Sequence, residues 1–421
     1  MQINDNIKNK INKTKKYELL APAGSFENLI VAINAGADAV YFGIQGFNMR
    51  ANARNFTLKD LPKIKKICET TIPGKKVKRY LTVNIIVYNE ELKKVEEVIK
   101  KAKKYVDAII CWDMAVINLC RKHKVPFHIS TQASVSNIEA AKFYKSLGAE
   151  RIVLARELNL KQIEKISNTI DVETFVHGAM CVSISGRCFT SQFLFNKSAN
   201  RGECIQPCRR SYEVYKIKDK QEGFELKLEN DKVMSAKDLC TLPFIDKLKK
   251  ANIKAFKIEG RNRDPRYVDT VVRVYRKALD SKRPLTSEQI KEMLKELQEV
   301  YNKGFSSGFY LGVPTSDDFS KVEHSSATKS KRFVAKILKY YPKINVALIR
   351  VSSNFDINDE ICIIGKKIGI IHAKIESMEK NKVFIKKAEK GEELGIKFDF
   401  NDSSKLAKIG KNDDVYVIYD K

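Results

Sequence analysis

The sequence predicts an α/β fold, a (β/α)8 TIM-like barrel with a cysteine-rich insertion before its last strand, followed by a small C-terminal β-barrel. Three observations support this. Short apolar runs alternate with amphipathic helical stretches from about residue 17 to residue 260, which is typical of parallel α/β proteins. After residue 332 the pattern changes to short β-rich runs separated by turn residues. The chain of 421 residues has room for a barrel of about 250 residues and a second domain.

Eight apolar runs in the first part of the chain are predicted to be strands. Several are apolar on both faces, as strands buried in a parallel sheet are. A small or polar turn followed by a strand recurs, as in Gly36–Val40 and Gly148–Ile152. A doubly wound open sheet would give the same alternation and is the competing architecture. The predicted strands are Glu18–Ala21, Ala39–Gly43, Tyr80–Val87, Asp107–Trp112, Phe127–Thr131, Arg151–Ala155, Glu173–Val176 and Ala255–Glu259.

The same patterns predict the domain boundaries. Residues 1–16 form a basic N-terminal tail, and residues 17–303 form the barrel with its insertion at about 177–254. A Gly/Ser-rich linker over 304–331 leads to the small β-barrel at 332–421. Loops that follow barrel strands emerge at the C-terminal face, where barrel enzymes have their active sites. We therefore expect the insertion to be functional.

Composition limits the possible partners. Lys and Arg number 78 against 51 Asp and Glu, a net charge of +27 that attracts polyanions such as RNA without specifying one. No run approaches the roughly 20 apolar residues of a membrane helix. The lysine-rich N-terminus lacks the apolar stretch of a secretory signal, so we expect a cytoplasmic protein that does not contact membranes.

Four of the nine cysteines fall within 28 residues, in the pattern C-x6-C-x15-C-x3-C. Soft thiolates select zinc or iron–sulfur clusters, and only the second pair approaches the usual zinc spacing. The spacing leaves open a 4Fe–4S cluster, a zinc ion or four free thiols. Cys240 is a spare ligand candidate. The four clustered cysteines are Cys181, Cys188, Cys204 and Cys208.

Other residues near the insertion could take part in chemistry. His177 precedes Cys181 by four residues, so a Cys–His nucleophilic pair is conceivable. Glu259 lies at the end of the last predicted strand. It could act there as a general acid or base, as catalytic residues of barrel enzymes do, or form a structural salt bridge with an arginine. Four arginines flank the cysteines and would either bind anions or belong to a solvated basic loop; they are Arg187, Arg201, Arg209 and Arg210.

The segment Glu173–Ser191, ETFVHGAMCVSISGRCFTS, resembles the signature of peptidase family U32, E-x-F-x2-G-[SA]-[LIVM]-C-x4-G-x-C-x-[LIVM]-S. Its one departure is Thr190 where an aliphatic residue is usual. No zinc-peptidase, serine-hydrolase, Walker or Rossmann motif occurs beside it. Further segments that resemble the family are Glu18–Ser25, Ala37–Gly43, Asn52–Phe56, Gly202–Arg209, Ser235–Leu239 and Lys257–Arg261.

The resemblance implies activities other than the proteolysis that the family name suggests. Members were named collagenase-like proteases, yet several are RNA or quinone hydroxylation proteins with a 4Fe–4S cluster on four cysteines. One group hydroxylates the wobble uridine of tRNA at carbon 5 and depends on prephenate, and another hydroxylates a cytidine of ribosomal RNA. The cysteine pattern and the appended β-domain are most similar to those of the tRNA group. The resemblance thus assigns the cluster to the four clustered cysteines.

We therefore expect an iron–sulfur tRNA hydroxylase. Glu259, Arg261 and Arg187 are the predicted catalytic residues, with Arg187, Arg209 and Arg261 also contacting phosphate or a prephenate-like carboxylate co-substrate. A U32-type protease is the second hypothesis and a zinc-stabilised RNA-binding protein the third. The positive charge favours RNA over a peptide. The oligomeric state is not indicated by the sequence.

Overall fold

A computed structural model of the chain describes residues 17–51, 53–184, 186–213, 221, 234–322, 324–400 and 408–421. The predicted basic tail, residues 1–16, lies outside the described residues. In the part of the chain that the structure describes, no helix is long and apolar enough to cross a bilayer.

Eight parallel strands close into the predicted barrel. The first seven pair in sequence order, and the last one pairs with both the seventh and the first, which completes the ring. The doubly wound open sheet is therefore excluded. The strands up to this closure, including a short one inside the insertion (β8), are β1 (Glu18–Pro22), β2 (Ala39–Gly43), β3 (Lys78–Thr82), β4 (Ala108–Cys111), β5 (Phe127–Ile129), β6 (Arg151–Val153), β7 (Asp171–Gly178), β8 (Asp238–Cys240) and β9 (Ala255–Ile258).

Helices surround the barrel because each has one apolar stripe. In the third helix the buried residues Val95, Val98, Ile99 and Ala102 recur at three- and four-residue spacing and face the core. The helices are α1 (Phe26–Asn34), α2 (Leu61–Thr70), α3 (Leu92–Ala102), α4 (Met114–Lys122), α5 (Ile138–Ser146), α6 (Leu160–Ser167), α7 (Thr190–Phe195), α8 (Ile245–Lys250), α9 (Pro265–Asp280) and α10 (Ser287–Gln298).

The segment expected to be a linker, residues 304–331, packs on the barrel. Its short strand β10 (Phe305–Ser306) pairs with β8, which in turn pairs antiparallel with the end of β7. The buried Tyr310 donates its hydroxyl hydrogen to the carbonyl of Phe175 at 2.6 Å. These contacts fix the segment against the insertion, so it is not a free tether.

The C-terminal residues form the predicted small β-barrel. Six antiparallel strands close it in the order β14, β19, β11, β12, β18, β15 and back to β14, with β16 attached to β15 and a separate β13–β17 ribbon. Its strands are β11 (Lys329–Tyr341), β12 (Val346–Val351), β13 (Phe355–Asp356), β14 (Glu360–Gly365), β15 (Gly369–Lys380), β16 (Val383–Ile385), β17 (Lys387–Ala388), β18 (Glu393–Phe400) and β19 (Asp414–Asp420).

The two barrels share an apolar contact. Cys362, Ile364, Ile370 and Ile418 of the small barrel belong to the same buried cluster as the core around the large one. At Gly369, which has a φ of +75°, a Cβ atom would lie 2.9 Å from a methyl group of Val31 in α1. Removal of the small barrel would therefore expose apolar surface on α1 and α9.

The interior of the large barrel contains a chain of buried charges. Arg151 on β6 lies 2.5 Å from Glu18 and 3.4 Å from Glu173, and Glu173 lies 2.7 Å from Lys257. Burial of four charges is costly unless they are paired, and here each has an opposite partner. A small cluster of buried residues packs beside the charges and comprises Leu20, Ala39, Tyr41, Tyr80, Ala108 and Ile110.

Candidate functional site

The carboxyl ends of the barrel strands surround a narrow polar cavity of about 40 Å³, which we call the mouth. The loops after β2, β3, β5, β6 and β9 supply most of its side chains. A cavity of this size holds little more than one water molecule, whose share of liquid volume is about 30 Å³. The residues that line it are Tyr41, Met49, Arg50, Thr82, Asn84, Ile110, Ser130, Thr131, Gln132, Arg156, Phe175, Lys257, Glu259 and Arg261.

Glu259 is held by an arginine across the mouth. Its Oε1 accepts hydrogen bonds from Arg50 Nε at 3.0 Å and Arg50 Nη2 at 2.5 Å. Burial opposes ionisation of Glu259, but Arg50, and then Arg156 and Arg263, outweigh it and lower its pKa to about 2. The carboxyl is therefore ionised at neutral pH and has no proton to donate. In this geometry it orients Arg50, while its role as a base stays a prediction.

Arg261 and Lys257 lie beneath this pair. Arg261 Nη1 donates to Asn48 Oδ1 at 3.1 Å and to Thr82 Oγ1 at 2.9 Å. Burial lowers the pKa of Arg261 to about 10, so the guanidinium remains charged at neutral pH. Burial also lowers the pKa of Lys257, although the Glu173 carboxylate opposes that effect. Both cations are thus fixed in place by buried partners.

Arg156 adds a fourth cation to the mouth. Its Nη1 donates to the carbonyl of Ala179 at 2.9 Å, and its guanidinium stacks 3.9 Å from the centre of the Phe175 ring. Its buried Nε has no hydrogen-bond partner among the described residues. Arg50 is paired with Glu259 and Lys257 with Glu173, so Arg156 and Arg261 are the two cations of the mouth that have no carboxylate partner among the described residues. Guanidinium groups commonly bind small anions such as carboxylates.

The four clustered cysteines lie near enough to one another for the charges of Cys181, Cys188 and Cys204 to act on Cys208. Cys181 is exposed and the other three are half-buried. Burial raises the pKa of Cys208 to about 11; Arg209 acts against this rise, and the charges of Cys181, Cys204 and Cys188 add to it. The loop is ordered by its own side chains: the Cys188 amide donates to Asn200 Oδ1 at 2.9 Å, which fixes the position of that cysteine.

The spacing of these thiols differs from that of a single-ion site. Tetrahedral zinc at a Zn–S distance of about 2.3 Å requires sulfurs only about 3.8 Å apart. Among the described residues, no three His, Cys, Asp or Glu side chains are close enough to hold one metal ion. Four thiolates on one loop are also the donor type of an iron–sulfur cluster.

The cysteine loop packs against the loop after β2, which borders the mouth. Gly202, with a φ of +95°, lies so close to the loop after β2 that a Cβ atom there would be 2.3 Å from the carbonyl oxygen of Asn48. The Gly202 carbonyl accepts from the Ala51 amide at 3.0 Å. The Glu259 carboxylate raises the pKa of Arg50 against the effect of burial, and Cys181 adds to that rise. Cys181 and the mouth therefore share one electrostatic environment.

The predicted arginines are not brought together. Arg209 is buried and binds Asp238 at 3.2 Å and the carbonyl of Met180 at 3.1 Å, which fastens the loop to β8. Arg201 pairs with Glu91 at 2.6 Å. Arg187 is exposed, and the described residues that line the mouth do not include it. Of the three predicted catalytic residues, the structure brings together Glu259 and Arg261.

His177 and Cys240 lie in the core. The His177 ring packs against Tyr267, Tyr275 and Phe305, and burial together with Arg263 lowers its pKa to about 3. Cys240 lies opposite His177 on β8, with the Tyr275 hydroxyl 3.8 Å from its sulfur. The described contacts of His177 do not include Cys181. The two side chains therefore do not form the Cys–His nucleophilic pair that their spacing in the sequence suggested.

Sequence reasoning missed three of the four cations of the mouth: Arg50, Arg156 and Lys257. Lys257 lies in the family-like segment Lys257–Arg261, and Arg50 shortly precedes another at Asn52–Phe56. A search for basic residues within three positions of a strand's carboxyl end would have found Lys257 and Arg156. Arg50 lies inside a long loop and has no such signal.

The Arg50–Glu259 pair predicts a pH dependence of stability. Because folding lowers the pKa of Glu259 from about 4.5 to about 2, its stabilisation is complete above pH 4.5 and is lost as the pH falls towards 2. We expect Glu259→Gln to lower the free energy of unfolding by about 2–3 kcal/mol at pH 7, with the difference shrinking at pH 3. Urea unfolding at both pH values measures this; an equal difference at pH 7 and pH 3 would contradict it.

Several known proteins are similar in sequence to most of this chain. The profile of Peptidase family U32 matches residues 24–319. A protein named collagenase from Porphyromonas gingivalis is 41% identical over 94% of this chain and 99% of its own length. The tRNA hydroxylation protein P1 of Bacillus subtilis is 37% identical over 87% of this chain and 88% of its own. The 23S rRNA 5-hydroxycytidine C2501 synthase of Escherichia coli is 38% identical over 63% of this chain and 40% of its own. The chain belongs to peptidase family U32.

Proposed function

We propose that this chain is an iron–sulfur RNA-modifying enzyme that hydroxylates a tRNA uridine, at carbon 5 of the wobble nucleotide. The observation that carries the proposal is the position of the four-thiol loop, which packs against the loop that brings Arg50 into the barrel mouth. Relatives named for tRNA hydroxylation and for 5-hydroxycytidine synthesis support RNA as the substrate. The net charge of +27 agrees with a polyanionic partner.

The chemistry of the donor set fits a 4Fe–4S cluster. Cys181, Cys188, Cys204 and Cys208 would hold it, and when bound it would supply electron transfer beside the mouth. Arg50 lies near Cys181 and Arg209 next to Cys208, so positive charge compensates the thiolates. The described side chains do not form a single-ion site, so they lend no support to the zinc-stabilised RNA-binding protein.

The residues of the mouth have separable tasks in this proposal. Arg156 and Arg261 bind a carboxylate, as a prephenate-like co-substrate would present, and Glu259 keeps Arg50 in position. Asn84 and Gln132 hold each other in place beside this anion, since Asn84 Nδ2 donates to Gln132 Oε1 at 3.2 Å. Because the base of the mouth is narrow, only the reacting end of a substrate reaches it, and the rest lies outside.

A U32-type protease is the alternative, and the 41% identity to a protein named collagenase favours it. A peptidase needs an activated nucleophile or a metal-bound water with an open coordination position. In the structure His177 is 1% exposed and packs among aromatic rings, so it does not activate Cys181. This geometry is the reason that we place hydroxylation first.

One experiment separates the two functions. The chain is expressed in a bacterial strain that lacks its own tRNA hydroxylation proteins, and tRNA nucleosides are analysed by mass spectrometry. The purified protein is assayed in parallel for cleavage of denatured collagen. We expect hydroxylated uridine to reappear and the collagen to stay intact. Collagen cleavage without any hydroxylated nucleoside would overturn the proposal.

Replacement of His177 tests the protease alternative directly. His177→Phe keeps an aromatic ring against Tyr267, Tyr275 and Phe305, so the fold should survive. We expect iron content and RNA hydroxylation to change less than about twofold, because the ring neither touches the thiols nor lines the mouth. A variant that keeps its iron but loses more than about 90% of any proteolysis shown by the wild type would assign His177 a catalytic role.

A further inference from the structure

A second cavity, of about 990 Å³, lies between the C-terminal face of the large barrel and the small β-barrel. We call it the cleft. One wall consists of the loops after β1, β2 and β9, including Ser25, Arg54 and Arg263. The other wall comes from the β14–β15 turn and the start of β19, including Lys366, Lys367 and Lys411. The cleft exists only because the two barrels pack against each other.

The lining of the cleft is strongly basic. It contains nine Lys and Arg residues against four Asp and Glu residues. Two of the acids are already neutralised, since Asp264 pairs with Lys331 at 3.3 Å and Asp414 pairs with Lys336 at 3.5 Å. The excess of cations is therefore available to an external anion.

Five of these cations form no salt bridge with any residue that the structure describes. Each is exposed, and within the described ranges none of the five lies within 4 Å of a carboxylate oxygen. They come from both walls, so an anion in the cleft would contact the two barrels at once. The five are Arg54, Lys366, Lys367, Lys408 and Lys411.

The cleft lies next to the mouth. Arg261 lines both cavities, and Arg50 of the mouth lies four residues before Arg54 of the cleft on the same loop. The first turns of α1 and α9 also border the cleft, through Glu27, Asn28 and Pro265. Helix N-termini carry partial positive charge, which adds to the field of the side chains.

We propose that the cleft binds the sugar–phosphate backbone of the RNA and brings the reacting edge of one nucleotide to the mouth. This rests on the proposed function. The cleft is too large and too highly charged for a single small anion, whereas cations spread over two walls suit a chain of phosphates. Phosphate contacts set register and orientation, while the mouth selects the base. The small barrel thus acts as one half of the RNA site.

The test uses the full chain and two matched triple variants. In the first, Lys366, Lys367 and Lys411 of the cleft are each changed to Gln. In the second, Lys101, Lys103 and Lys165 are changed to Gln; these exposed residues lie at the carboxyl ends of α3 and α6, at the opposite end of the barrel. Both variants lose three positive charges. Any difference in RNA binding between them therefore depends on where the lysines lie and not on the net charge.

Binding of unmodified tRNA is measured over a range of salt concentrations. For the cleft variant we expect at least tenfold weaker binding at low salt, and a slope of log K against log salt that is smaller by about 2–3, because about one counterion is released per phosphate contact. For the control variant we expect less than about a threefold change.

The outcomes that overturn the inference are distinct from those that overturn the function. If both variants bind tRNA alike while hydroxylation persists, the cleft is not the RNA path and the proposed function stands. If the wild type binds polyglutamate as tightly as tRNA, the cleft recognises acidic chains in general and the inference fails. If the wild type neither binds nor modifies RNA, the proposed function itself fails.

Discussion

Cys181→Ser is expected to lose iron and RNA hydroxylation together. Cys181 is one of the four cysteines proposed to hold the cluster, and a cluster held by three thiolates is weakened. We expect anaerobically purified variant to fall from roughly four irons per chain to less than about one, and hydroxylated nucleosides to drop below about 5% of wild type. Elemental analysis and nucleoside mass spectrometry of the same preparation measure both quantities.

Cys240→Ser is the matched control. Cys240 belongs to the same insertion, but it is buried on β8 beside the Tyr275 hydroxyl, and serine preserves a group that can accept that hydrogen bond. Its iron content should stay within about a quarter of the wild-type value. Loss of iron in Cys240→Ser with retention in Cys181→Ser would show that the ligand set differs from the one proposed.

Glu173→Gln is expected to destabilise the fold by about 3–5 kcal/mol. Glu173 is fully buried between Lys257 at 2.7 Å and Arg151 at 3.4 Å, so removal of its charge leaves two buried cations with less compensation. Urea unfolding followed by circular dichroism measures the change in the free energy of unfolding.

Glu139→Gln serves as the control for this prediction. Glu139 pairs with Lys142 at 2.8 Å, but its side chain is 81% exposed, and exposed pairs contribute at most about 0.5 kcal/mol on a helix. A loss below about 1 kcal/mol in Glu173→Gln would mean that the buried charge chain does not stabilise the barrel.

The large barrel was predictable because its strands are fixed by local pattern. The runs at Ala39–Gly43 and Ala255–Glu259 became β2 and β9 with boundaries that differ by at most one residue. The run at Tyr80–Val87 predicts a strand that extends too far towards the C-terminus. In the structure β3 begins at Lys78 and ends at Thr82, and Asn84 already lines the mouth. Apolar composition continues beyond the strand, so the pattern alone does not mark where the strand ends.

The packing between the barrels was not predictable. Gly and Ser residues after Gly304 are typical of a linker, but β10 is only two residues long and exists because β8 pairs with it. The three-residue β8 has the same dependence on its neighbours. Short elements held by tertiary contacts leave little trace in periodicity, and so the cleft between the barrels was not anticipated either.

The candidate site also has one part that the sequence predicts and one part that it does not. The cysteines were found because they lie within one segment whose spacing and neighbours form a recognisable signature. The cations of the mouth come from separate loops; Arg50 and Glu259 are 209 residues apart and meet only when the barrel closes. Contacts of this kind follow from topology, which a single sequence specifies only indirectly.

The metal content of the wild-type protein tests the central claim most directly. The protein is purified without oxygen, and iron, zinc and acid-labile sulfide are measured per chain. The four-thiol loop beside the mouth predicts roughly four irons and four sulfides, with a broad absorbance near about 400 nm. One tightly bound zinc with neither iron nor sulfide would contradict the account.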